Sequence, residues 1–170
     1  MFALVQHFYQ LLVMQRQPQD FPASGFLLVL VAAMHVGLGF LGHLAASGLP
    51  LYSLGRSSLG LVLVLAGSWL MLAIFGKRTR WLQTSIALVG GEALIGAMSL
   101  PFLFVVTQGI SNIFLELSLL LFLVWNIAFI GHVWRHALET SMFIGIVLAL
   151  GLIVWYAWIE IQLLPFPGDA

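Results

Sequence analysis

Five long apolar runs, separated by short polar segments, organise this chain. A helix rises about 1.5 Å per residue, so roughly 20 consecutive apolar residues cross a hydrocarbon layer of about 30 Å. The first run that meets this length extends from Phe26 to Ala46, interrupted only by His35 and His43, and the second from Leu59 to Gly76. A third begins at Trp81 and reaches about Leu100, where Pro101 ends or kinks the helix because proline has no N–H to donate. The fourth covers Ile113 to Trp134, and the fifth Ser141 to Leu164, ahead of Pro165 and Pro167. The pattern predicts an all-α fold, a polytopic bundle of five transmembrane helices forming one domain over residues 23–170.

Ahead of the first span, Met1 to Met14 is apolar but too short to cross, and it lacks the basic region and small-residue cleavage site of a signal peptide. Leu4, Phe8, Leu11 and Leu12 recur at helical spacing, with Gln6 and Gln10 elsewhere on the wheel. That spacing predicts an amphipathic helix, lying in the membrane interface or packed under the bundle. Gln15 to Pro22, with Pro18 and Pro22, reads as a polar break. Residues 1–22 are thus expected to be an interfacial helix and linker. No internal repeat stands out, and an odd number of spans gives no pair of inverted halves.

Composition fixes the class. Of 170 residues, 62% are hydrophobic and 7% charged, whereas soluble domains carry about 25% charged residues. Six basic and six acidic side chains cancel, which removes nucleic acid as an obvious partner, because duplex binding draws on clustered Lys and Arg. Without cysteine there is no disulfide, thiolate metal site or Cys nucleophile. The basic residues are unevenly placed. When loops are assigned alternately to the two sides, Arg16, Lys77, Arg78, Arg80 and Arg135 fall on one side and Arg56 alone on the other. The positive-inside rule then predicts a cytoplasmic N-terminus and an outer C-terminus carrying Asp169. Trp81, Trp134, Trp155 and Trp158 near span ends fit an aromatic belt. The expected location is the cell membrane, multi-pass, and the inner membrane if the source is a Gram-negative bacterium.

Two segments carry a family resemblance: Arg16-Gln-Pro-Gln-Asp-Phe-Pro22 before the first span, and Arg80-Trp-Leu-Gln-Thr84 opening the third. With five closely spaced spans and no sizeable soluble domain, the chain resembles the Yip1-type membrane proteins and their poorly characterised bacterial relatives. For the eukaryotic members that resemblance implies membrane trafficking and partner binding; bacterial members mostly lack assigned activities. It supplies no catalytic residue, and the long cytoplasmic N-terminal domain of the eukaryotic members has no counterpart here.

Ionisable side chains inside a bilayer are costly and are functional candidates by default. Glu92 sits in Val89-Gly-Gly-Glu-Ala93, near the middle of the third span. It is either a hydrogen-bonded structural carboxyl or a proton-exchanging or ligand group. Depth counting puts His35 level with Glu92, and His43 level with Glu116 in the outer quarter, so two His–Glu pairs are possible. His35 and His43, eight residues apart, differ by about 80° around a helix. The structural alternatives are a core His35 bonded to a backbone carbonyl, and His43 and Glu116 as interfacial residues reaching water. Asn126, Gln83 and Thr84 are expected to supply interhelical hydrogen bonds. The candidate intramembrane site is therefore His35, Glu92, His43, Glu116 and Asn126.

At the end of the fourth span, His132, His136 and Glu139 share a helical face at i, i+4, i+7, a weak metal candidate without the H-E-x-x-H order. The alternative is a helix end whose Arg135 anchors to anionic headgroups. Bis-histidine haem lacks facing histidines at matching depth, and no cofactor is expected. Small residues four apart, Ala33 with Gly37, Gly42 with Ala46, Ala87 with Gly91 and Gly145 with Ala149, predict close helix packing. With no nucleophile paired to a base and no nucleotide loop, the leading expectation is a non-enzymatic integral membrane protein. It would act by association with other membrane proteins or itself within the lipid bilayer. The alternative is a proton- or ion-coupled element using Glu92 and His35.

Overall fold

The computed structural model describes residues 2–165, with side chains from Gln6 onward; Met1, Pro167, Asp169 and the side chain of Leu4 lie outside this range. The described residues are helical, without strands. They form α1 (Phe2–Leu12), α2 (Gly25–Ser47), α3 (Pro50–Ile74), α4 (Trp81–Thr107), α5 (Ile113–Leu138) and α6 (Met142–Leu163), with short 3-10 turns at Pro18–Asp20 and Arg78–Arg80. Helices α2 to α6 are long and apolar enough to cross a membrane, and the chain is a multi-pass membrane protein.

Three spans begin at a polar residue in extended conformation. Ser24, Asn112 and Ser141 accept from the N–H groups of Leu27, Leu115 and Ile144, each cap contributing about 1 kcal/mol. Gly48 closes α2 in the left-handed region at φ 68°, where a side chain would be strained.

Two span boundaries differ most from the pattern, while α5 runs one turn past Trp134 to Leu138. Helix α3 starts at Pro50, nine residues before the expected Leu59. Its first turns are polar yet self-satisfied, because Ser53 Oγ donates to the Leu49 carbonyl at 2.8 Å and Ser57 Oγ to that of Ser53 at 2.9 Å. Arg56 therefore stands inside a span. Helix α4 runs through Pro101 to Thr107 instead of ending near Leu100, since proline removes one hydrogen bond without forcing the chain out of helical φ.

Helix α4 is the axis of the bundle: α2, α3, α5 and α1 all pack on it, α6 lies on α5, and α3 meets α6. Its turn Ile86–Val89 is buried in one core with Phe129, Val133 and Trp134 of α5 and Leu72 of α3. Large apolar residues such as Val29, Leu121, Phe143 and Val154 point outward, as lipid-facing surfaces require.

The N-terminal segment packs on protein. Phe8, Leu11 and Leu12 are buried, and Phe8 lies against Gly90, where an added Cβ would collide with its ring. Of the two placements that the amphipathic spacing allows, the structure takes the packed one. Nor is Gln15–Pro22 a free linker. Trp125 Nε1 donates to the Leu12 carbonyl at 3.0 Å, His132 Nε2 to that of Arg16 at 2.8 Å, and Gln83 Nε2 to those of Gln19 and Phe21 at 3.1 and 2.9 Å. Phe21 and Pro18 are buried beneath it. These bonds, with Arg80 Nη1 donating to the Ala137 carbonyl at 3.1 Å, bring Arg16, Lys77, Arg78, Arg80 and Arg135 to one end of the bundle, here called the basic end.

Candidate functional site

Glu92 lies eleven residues along α4, about 17 Å from its start. It lines a small, partly open cavity of about 70 Å³ together with Asn126 and Trp134 of α5, Tyr156 of α6 and an otherwise apolar wall that includes Val64 of α3, Leu88 of α4 and Leu152 of α6. Among the described residues no cation reaches Glu92 and no hydrogen bond is made to it. Trp134, 1% exposed, lines the same cavity, and its indole N–H is buried without a partner. A cavity of this size with several polar walls suits water, which needs two to four polar partners.

Toward the opposite end, outside the cavity, stands a second polar group. Tyr156 and Glu160 are four residues apart and share a face of α6. Glycines of α3 make room for both: a Cβ at Gly67 would collide with the Tyr156 hydroxyl, and one at Gly60 would come to 3.4 Å from Glu160 Oε1. Glu160 pairs with Arg56 Nη2 at 3.2 Å, both half-buried, and Arg56 Nη1 donates to the Tyr52 hydroxyl at 2.6 Å. Tyr156 and Glu160 were not among the residues that the sequence pattern singled out, and Arg56 entered it only as a loop charge. The recoverable signal was Gly60 and Gly67 at i, i+7 facing Tyr156 and Glu160 at i, i+4.

The two expected His–Glu pairs do not form. His35 is bonded to the Val89 backbone, its structural alternative, because α2 lies along one side of α4 whereas Glu92 opens toward α5 and α6. His43 is near Arg56. Glu116 is exposed and accepts from Ser111 Oγ at 2.6 Å. Of the candidate site, only Glu92 and Asn126 come together.

At the basic end His132 and His136 stack edge to face with ring centroids 4.6 Å apart, but Glu139 turns away. Its carboxylate takes Lys77 Nζ at 2.6 Å and Arg80 Nη2, and these two cations, the Lys77 hydrogen bond foremost, hold its pKa below the usual carboxylate range. Among the described residues no three His, Asp or Glu side chains converge to hold a metal. His132 serves the N-terminal segment, as does Gln83, which reaches no neighbouring span. Thr84 is buried at 1% exposed. Hydroxyl pairs that do join spans are Ser68 with Ser85, at 3.1 Å between α3 and α4, and Ser47 with Ser53, at 3.2 Å between α2 and α3.

The small-residue pairs divide. Gly91 receives the Phe129 ring, and Gly145 lies against the Gly131 carbonyl, with Ala87 and Ala149 fully buried beside them. Gly37 has open space around it and Ala33 is exposed. The aromatic belt divides too: Trp155 and Trp158 are exposed, while Trp134 is core and half-buried Trp81 donates to the Leu65 carbonyl at 3.2 Å.

Comparison with protein-family models, with curated proteins and with solved structures gives no match. The Yip1 resemblance rests on the span architecture and on the Arg16–Pro22 and Arg80–Thr84 segments alone.

Proposed function

We propose that this non-enzymatic membrane protein handles protons, with Glu92 as the group that takes up and releases them. The observation that carries this reading is a carboxyl on the central helix at a mostly apolar cavity, with Asn126, Trp134 and Tyr156 as its polar company and no cation in reach. Tyr156, Glu160 and Arg56 mark the polar route from the cavity toward the opposite end; His35, bonded to Val89, takes no part. In proteoliposomes carrying a pH-sensitive dye, the wild type should relax an imposed pH gradient faster than Glu92→Gln, while Glu116→Gln matches the wild type. Equal rates in wild type and Glu92→Gln, or no flux in either, would overturn the reading.

A second reading, association with another membrane protein or a second copy, is favoured by an open apolar groove of about 640 Å³ between α1, α2 and α4, lined by Phe8, Leu27, Val31, Ala33, Met34 and Leu94 among others. The native chain has no cysteine, so Met34→Cys is a clean crosslinking probe. Adducts should form in native membranes; a lone monomer throughout counts against association.

A further inference from the structure

Beside the paired Lys77–Glu139–Arg80 group lies a second polar feature, an open cleft of about 360 Å³ at the basic end. Gln17 and Gln19 of the N-terminal segment, Arg80, and Arg135, His136 and Thr140 around the end of α5 line it, with Glu139 at its edge. We infer that this cleft binds a phosphate ester, with Arg135 as its principal cation.

Arg135 is exposed and, among the described residues, its guanidinium has no hydrogen-bond or ion-pair partner. The two-pronged guanidinium matches phosphate oxygens in a way a point charge does not. Two of the carbonyls at the end of α5, which would repel an anion, are already engaged: that of His136 accepts from Gln19 Nε2 at 2.7 Å, and that of Ala137 from Arg80. Arg80 and Lys77 neutralise Glu139, so the remaining carboxylate at the cleft does not leave it acidic. Asp20, the other acid near His136, caps its own turn by accepting from the Gln17 N–H at 3.0 Å. The Thr140 hydroxyl and the Gln19 Oε1 are buried without partners, so the contact offered to a phosphate at the cleft surface is the Arg135 guanidinium. Arg78, by contrast, stacks on Trp69 at 5.4 Å outside the cleft.

A phosphate group reaches this end of a membrane protein either on a lipid headgroup or free in water. Native mass spectrometry of the full chain from phosphatidylcholine micelles, titrated with phosphatidylglycerol, tests the first source. Thermal unfolding in inorganic phosphate against chloride at matched ionic strength tests the second. Arg135→Gln, a change at an exposed position, should weaken retention of the anionic lipid, or of inorganic phosphate, about five-fold, whereas Arg78→Gln leaves it unchanged. Dependence on Arg135 in either arm supports the site and names its source. Equal losses in the two variants, no effect of Arg135→Gln, or binding in neither arm would overturn it.

Discussion

Glu92 and Glu139 show how the same side chain diverges with its surroundings. Glu92 has been drawn into the bundle with no cation, and among mostly apolar neighbours its polar company is an amide, a phenol and an indole. Glu139 stands in water at the end of α5, in left-handed conformation at φ 58°, and collects two cations from the loop before α4. A carboxylate whose folded pKa is depressed adds stability that is present above its unfolded pKa and fades as pH falls through the folded one. Thermal unfolding of the wild type in detergent should therefore lose ground to Glu139→Gln as pH is lowered from about 5, the variant being the less stable only above that range. Parallel pH profiles for the two proteins would show that the Lys77 and Arg80 contacts contribute nothing in solution.

Single elements owe their placement to where a side chain is missing. Helices α5 and α6 approach so closely at Gly131 and Gly145 that a Cβ on Gly145 meets the Gly131 carbonyl oxygen, which cannot swing aside as a side chain can. Gly145→Ala should cost about 1–3 kcal/mol, read as a lowered unfolding midpoint in detergent. Gly37→Ala, with nothing within 4 Å of the new methyl, should stay within about 0.5 kcal/mol of the wild type. Equal midpoints for both variants would argue against the close crossing. Helix α4 likewise admits Phe8 and Phe129 from two neighbours through Gly90 and Gly91, which lets one helix serve as the axis for the rest.

For the whole molecule, the segment contacts collect five of the six basic residues at one end, while Arg56, inside α3, stays with Glu160 at the other. The positive-inside rule turns that asymmetry into an orientation. Thr79 at the basic end and Gln108 at the opposite end are both exposed. In intact cells a membrane-impermeant maleimide should label Gln108→Cys and spare Thr79→Cys until the cells are opened. The reverse pattern would invert the orientation, and with it the compartment that the phosphate cleft faces.

Runs of apolar residues determined by themselves that five helices span a membrane, because span length follows from the hydrocarbon thickness and the rise per residue. The uneven basic residues likewise carried their own grouping, since loop parity alone sorts them. Depth along a helix was equally legible, and it put Glu92 near mid-span. What depth cannot supply is azimuth. Which neighbour a side chain meets depends on how helices rotate and approach, and that was decided by tertiary packing around Gly60, Gly67, Gly90, Gly91 and Gly145. Level histidines and glutamates consequently stayed apart, whereas Arg56 met Glu160 across more than a hundred residues of sequence. The N-terminal segment became part of the bundle for the same reason: its backbone carbonyls found donors on helices that no local pattern connects to it.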